Sequence, residues 1–183
     1  MVITDFLFVV NIISFLISLF LSSKLKIEIN KEPLPILFFV PLVIAFFFLA
    51  GIAVDPLFFI MVFLAGLFLV YYSIKNEEVV LATVKIKKPP ILITVIFIAN
   101  LLGGILFNIA RYATSGDRSL LILIFILGIF LVASSRAVLF SLIAYILKQK
   151  GYSKISSFFL GIFSFFGLLI ALILADKKTY IHR

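Results

Sequence analysis

The stretch that decides the fold is SLLILIFILGIFLVASSRAVLFSLIAYIL, residues 119–147, an almost unbroken apolar run with one charge inside it, Arg136. A helix rises about 1.5 Å per residue, so a helix over this run is longer than the hydrocarbon core of a bilayer, which is about 30 Å thick. Either Arg136 lies at depth in the membrane, or the membrane helix ends near it. The two alternatives differ in function, because an arginine at depth is costly and marks a functional site.

The whole chain shares this apolar character. Hydrophobic residues make up 64% and charged residues 13% of its 183 residues, and the mean hydropathy is +1.34. A soluble domain of this size could not bury so much apolar surface in one core, so we expect an integral protein of the cell membrane. Cysteine is absent, which excludes disulfides and thiolate sites. The formal charge of +8 does not indicate nucleic-acid binding, because the cations flank the apolar segments.

Six apolar segments of about membrane-spanning length follow one another along the chain. They are residues 6–23, 35–53, 57–74, 91–110, the run from 119, and 158–175. The sequence therefore predicts an all-α fold: a polytopic helical membrane protein with about six transmembrane helices, forming a single integral membrane domain over residues 1–183.

The orientation of these helices follows from the cations between them. The loops around residues 24–31, 75–88 and 148–154 hold ten Lys residues, against five Lys and Arg residues on the opposite side. Lys and Arg are enriched in cytoplasmic loops. We therefore expect both termini to lie outside the cytoplasm.

Two parts of the chain resemble each other and predict a tandem helical-hairpin repeat. Aligned without gaps, DPLFFIMVFLAGLFLVYYS (residues 55–73) and DRSLLILIFILGIFLVASS (residues 117–135) are identical at eight positions. An alternating apolar and charged stretch, two prolines and Ile-Leu precede the hairpin in both cases. The repeat units are then residues 24–75 and 83–136.

The repeat bears on the position of Arg136. It aligns Arg136 near Lys75, which follows the third apolar segment, and so favours a fifth span that ends at Arg136. The alternative is a helix that stays in the bilayer to Tyr145 and Lys148. On the first interpretation residues 137–147 form a helical extension at the cytoplasmic face, covered by lipid, by other parts of this chain or by another polypeptide. Arg136, Lys148 and Lys150 would then contact the phosphates of anionic lipids, or a partner.

Polar residues form stripes on two of the predicted helices. Asn11 lies on one face of the first helix with three serines, and Asn100, Asn108 and Arg111 share one face of the fourth. Such stripes commonly form hydrogen bonds between helices. The functional interpretation is a polar path or pocket near the outer face. We expect the first and fourth helices to be in contact, with Asn11 and Asn108 at similar depth.

The sequence contains little that could carry catalysis. All eight acids lie at or beyond predicted membrane boundaries, and His182 is the only histidine. No nucleophile with a base, phosphate-binding glycine loop or metal motif is present, so we expect no catalytic residue, metal or cofactor.

The favoured function is a non-catalytic membrane subunit or scaffold of a larger assembly, with a small transporter or transporter component as the alternative and a lipid-modifying enzyme third. The expected partners are the bilayer with its anionic head groups and, in a homo- or hetero-oligomer, other subunits; nucleic acid is not among them.

Overall fold

Every regular element in the part of the chain that the structure describes is an α-helix. The structure is a computed structural model and describes residues 2–28, 31–33, 41, 56–112 and 118–177. The helices are α1 (Val2–Ser22), α2 (Pro56–Lys75), α3 (Glu77–Val84), α4 (Pro89–Tyr112), α5 (Arg118–Gln149), α6 (Lys154–Ile162) and α7 (Phe165–Ile173). The all-helical class is confirmed for these residues. The predicted span over residues 35–53 lies, except for Pro41, outside them.

Two of these helices could cross a membrane. Among the described residues, Pro89–Tyr112 and Ser119–Gln149 are long and apolar enough to span a bilayer, and Phe8–Ser22 and Phe63–Lys75 are shorter apolar helices. This is consistent with membrane association. The six spans and the orientation of the termini stay predictions.

Helix α5 runs without interruption through Arg136. It has 32 residues, a length of about 48 Å at the usual helical rise. Lys75 is the last residue of α2, whereas Arg136 lies inside α5. The end of the membrane span, at Arg136 with residues 137–147 as a helical extension or at Tyr145 and Lys148, stays a prediction, but the helix itself does not end at Arg136. The physical reason is that the chain itself buries the residues after Arg136, so the helix has no cause to stop there.

Residues 137–147 form the centre of the main hydrophobic core. Five of their large side chains are fully buried, namely Leu139, Leu142, Ile143, Ile146 and Leu147. They are covered by residues from most of the other helices and from the alternating stretch after α1, including Ile27, Leu81, Leu92, Ile93 and Leu168. The Tyr145 hydroxyl also accepts a hydrogen bond from the Glu28 N–H (3.0 Å) and donates one to the Glu28 carbonyl (3.2 Å). The prediction that this segment is helical and needs cover is confirmed, and the cover comes from the chain itself.

Helices α4 and α5 approach each other closely through glycines. A Cβ atom at Gly103 would lie 2.8 Å from the Gly128 carbonyl oxygen, and one at Gly128 would lie 2.7 Å from the Phe107 nitrogen. Only the absence of side chains at this crossing allows the two backbones to come so near. The crossing therefore sets how the faces of α4 and α5 are turned toward each other.

The last apolar segment is broken into two helices. It was predicted as one span over residues 158–175, but α6 ends at Ile162 and α7 begins at Phe165. Ser164, between them, has φ 59° and ψ −129°, a conformation that side-chain-bearing residues seldom adopt. Gly167 lies so close to α6 that a Cβ atom there would overlap the Leu160 carbonyl. The prediction of one continuous helix is wrong, because tertiary packing redirects the chain at an apolar stretch that hydropathy reads as uniform.

Candidate functional site: a polar cavity around Arg136

Polar residues from four parts of the chain line one cavity of about 470 Å³. Its polar lining consists of Asn11 of α1, Asn100 and Asn108 of α4, Arg136 of α5 and Ser164 between α6 and α7. The rest of the lining is Phe8, Phe97, Leu101, Gly104, Ile105 and Phe165. We call this space the polar cavity. It brings Arg136 together with three of the four residues of the predicted stripe.

Aromatic packing holds the helices around the polar cavity. The rings of Phe15 of α1 and Phe97 of α4 stack with their centroids 4.0 Å apart. Phe165, at the start of α7, meets both rings edge-on, with centroid distances of 5.6 and 5.5 Å. The predicted contact between the first and fourth helices is therefore present. Since Phe97 and Phe165 also line the cavity, this cluster fixes the spacing of three of its walls.

The residues of the predicted stripe have different surroundings. Asn108 is exposed, and its amide nitrogen donates a hydrogen bond to the Gly104 carbonyl of its own helix (2.8 Å). Asn11 and Asn100 are partly buried at the cavity. Arg111 is not among the residues lining this cavity; its guanidinium lies 5.6 Å from the centre of the Tyr112 ring. The stripe on α4 thus contributes amide groups to the cavity and leaves its arginine at the end of the helix.

Arg136 is a partly buried cation without an acidic partner in the described part of the chain. The ion pairs seen there join Glu77 to Lys148 and Lys154, and Glu78 to Lys148. Lys148 is twelve residues further along α5 than Arg136, which is about 18 Å along the helix axis. No hydrogen bond from Arg136 to any of the side chains or carbonyl groups that the structure describes is seen either. Arg136 therefore contributes a charge to the lining of the polar cavity that no described acid neutralises.

The break before α7 leaves free backbone N–H groups at the start of this helix, whose first residue, Phe165, lines the cavity. Ser164 is 7% exposed, lines the cavity and makes no side-chain capping bond to α7. The first backbone bond of α7 runs from the Leu168 N–H to the Ser164 carbonyl (3.1 Å). The N–H groups of the three residues before Leu168 consequently have no acceptor within the helix, and a helix N-terminus carries partial positive charge. Sequence reasoning missed Ser164, because no sequence signal marks the break.

The lysines predicted to contact lipid phosphates have partners within the chain. Lys148 Nζ lies 2.9 Å from a carboxylate oxygen of Glu77 and 2.7 Å from one of Glu78. Lys150 Nζ donates to the carbonyls of Leu172 (2.7 Å) and Leu174 at the end of α7. These contacts hold α3 and α7 against α5. A role of Arg136, Lys148 and Lys150 in lipid or partner binding stays a prediction.

The carboxyl group of Glu77 is the most deeply buried acid among the described residues, with its side chain 2% exposed. Burial by itself raises the pKa of this group, but the ammonium groups of Lys148 and Lys154, at 2.9 and 3.0 Å, lower it by more. The net result is a pKa below the ordinary value, so Glu77 is ionised at neutral pH. It acts as a structural anchor between α3, α5 and α6.

The groups that meet in the polar cavity favour binding over catalysis. They are amides, a hydroxyl and a guanidinium, none of which is a base at neutral pH. No cluster of three or more His, Cys, Asp or Glu side chains that could hold a metal ion occurs in the part of the chain described. No known protein-family model matches the chain, and neither a curated protein nor a solved structure is similar enough to be matched to it.

Proposed function

We propose that this chain is a small membrane transporter, or the membrane component of one, and that the polar cavity is its solute-binding site. The observation that carries the proposal is the convergence of Asn11, Asn100, Arg136 and Ser164, from four separate segments, on one cavity. Residues that serve only to pack helices would close on one another and leave no space between them. An arginine inside an apolar bundle without an acidic partner among the described side chains lowers stability, and a ligand that meets its charge would account for its presence there.

The helix break at Ser164 supports the same proposal. Transporters commonly build their binding sites from interrupted helices, whose free backbone groups face the solute. Here the break between α6 and α7 falls beside the cavity, and Ser164 and Phe165 both line it. An irregular backbone inside a membrane bundle is tolerated where it lines such a cavity.

The wider arrangement is part of the proposal. We infer six spans with both termini outside the cytoplasm, in the cell membrane, and a tandem repeat over residues 24–75 and 83–136. A non-catalytic membrane subunit or scaffold, or a lipid-modifying enzyme, would not need to bind a transported solute in the polar cavity. They are the alternatives that the following experiment is designed to separate from transport.

Cysteine accessibility tests whether water and solute reach the cavity. The chain has no cysteine, so Asn100→Cys and Ser164→Cys each introduce a single thiol. A membrane-impermeant thiol reagent applied to proteoliposomes should label both variants, and labelling from either side of the membrane is expected because a transporter opens its site alternately to both. Leu16→Cys on the exposed apolar surface near the middle of α1 (57% exposed) and Leu139→Cys in the core (0% exposed) are the unlabelled controls.

The outcomes separate the functions. Labelling from both sides supports transport, since a fixed scaffold has no reason to expose one residue to two compartments. Labelling from one side only would indicate a binding pocket without transport. If neither cavity variant is labelled while both fold normally, the transport proposal is wrong and the scaffold hypothesis gains.

A further inference from the structure

We propose that the ligand of the polar cavity is an organic oxyanion, a carboxylate or phosphate ester carrying an apolar body, held by the Arg136 guanidinium and the first turn of α7. This inference rests on the proposed function and names the chemical class of its solute.

The charge of the cavity calls for an anion. Arg136 is the only charged residue among those that line it, and it has no acidic partner in the described part of the chain. A cation partly removed from water is costly unless an opposite charge or hydrogen-bond acceptors meet it. The acids that form ion pairs, Glu77 and Glu78, are already neutralised by Lys148 and Lys154 at the other end of α5. No carboxylate among the described side chains neutralises Arg136, and an anionic ligand would supply the missing negative charge.

The other donors around Arg136 suit an oxyanion. The free N–H groups of the first turn of α7 form the positive end of a helix dipole, which favours negative charge. Ser164, which is more than nine-tenths buried, lines the cavity, and its hydroxyl makes no capping bond to α7. Asn100 of α4 adds an amide to the lining. A guanidinium together with backbone N–H groups and a hydroxyl is the donor set that binds carboxylate and phosphate oxygens.

The walls of the cavity favour an anion with an apolar part. Five large apolar side chains line it: Phe8, Phe97, Leu101, Ile105 and Phe165. A Cβ atom built on Gly104 meets no atom within 4 Å, so this wall opens on free space. The volume of about 470 Å³ falls within the range of small-molecule sites. Inorganic phosphate alone would leave these apolar walls without a partner.

A single tryptophan can report on the cavity, because the chain contains none. Phe8→Trp places it in the cavity wall. Quenching of its fluorescence by neutral acrylamide measures whether small solutes reach the cavity, and quenching by iodide measures whether anions gather there. Hexanoate is the test ligand, with neutral hexanamide and inorganic phosphate beside it. Hexanoate should protect the tryptophan from iodide, hexanamide should not, and phosphate should protect only weakly.

Arg136→Gln in this background tests the role of the charge, and Arg111→Gln is the matched control, since Arg111 lies outside the lining of the cavity. Losing a charged hydrogen bond should weaken hexanoate protection by about 10- to 100-fold in Arg136→Gln. Iodide quenching should fall with it, while acrylamide quenching stays as in the parent. Arg111→Gln should leave all three measurements unchanged. Gly104→Leu places a large side chain in the cavity without changing Arg136, and it should also abolish protection by hexanoate.

Nanodiscs of two compositions separate the sources of the oxyanion. If a lipid head group occupies the site, phosphatidylglycerol should remove the arginine-dependent part of the iodide quenching, whereas phosphatidylcholine should leave it. If the ligand is a free organic acid, hexanoate should protect equally in both. Either result supports an oxyanion site and assigns its source.

One result would overturn the oxyanion inference alone, and a different result would overturn the transport proposal. If acrylamide reaches the tryptophan but iodide quenching and hexanoate protection are the same in Arg136→Gln as in the parent, the oxyanion inference is wrong and the transport proposal survives. If acrylamide does not reach it, the cavity is closed to solutes and the transport proposal itself fails.

Discussion

Two adjacent glycines of α4 offer a matched test of the packing that shapes the polar cavity. At Gly103 a Cβ atom would lie 2.8 Å from the Gly128 carbonyl oxygen and 2.9 Å from side-chain atoms of Leu131 and Val132. At Gly104 it would meet nothing within 4 Å. The same substitution, Gly to Ala, therefore has opposite consequences at two neighbouring positions of one helix.

The expected difference can be worked from these distances. Both substitutions gain helix propensity, by up to about 1 kcal/mol. Gly103→Ala also forces α4 and α5 apart, and such overpacking costs about 1–3 kcal/mol. Since the propensity gain is common to both, Gly103→Ala should be less stable than Gly104→Ala by the overpacking cost alone. Gly104→Ala should be as stable as the parent or slightly more so.

Equilibrium unfolding in mixed micelles, followed by circular dichroism as the sodium dodecyl sulfate fraction rises, measures both free energies of unfolding. Gly66→Ala in α2 is a third variant with no atom within 4 Å of the new Cβ, and it should behave like Gly104→Ala. Equal stabilities of Gly103→Ala and Gly104→Ala would show that the two helices do not cross at Gly103, and the geometry of the cavity would have to be revised.

Three further predictions concern the anchors of the fold. Glu77→Gln should lower the free energy of unfolding by about 1–3 kcal/mol at neutral pH. The folded pKa of Glu77 lies below its ordinary value of 4.5, so the parent should lose this stability as the pH falls below that value, whereas the variant should not. Thermal unfolding of both proteins from pH 3 to pH 7 measures the difference. Tyr145→Phe removes both hydrogen bonds to Glu28 and should speed hydrogen exchange at the Glu28 amide, with Tyr152→Phe as the control on another contact; unchanged exchange would contradict it. Ser164→Gly relieves the positive φ and should stabilise the protein by about 1 kcal/mol, whereas a loss of stability would argue against this backbone conformation.

The sequence by itself determined that the chain is helical and where several helices lie. Residues 57–74 and 91–110 were predicted from apolar runs, and the structure has helices at Pro56–Lys75 and Pro89–Tyr112. These bounds can be read locally, because prolines begin both helices and cations lie at their ends. The sequence also predicts that residues 137–147 are buried, since their hydrophobicity is a property of composition alone.

Only the tertiary structure decided the features on which the proposed function rests. The break at Ser164 lies in a run that hydropathy reads as continuous, and the packing that buries residues 137–147 within the chain is not contained in the repeat. Whether Arg136 meets Asn100 and Ser164 depends on how α4, α5 and α7 are turned about their axes. That rotation is set by backbone contact at Gly103 and Gly128 and by the stacking of Phe15, Phe97 and Phe165. These are contacts between residues distant along the chain, and no local pattern encodes them.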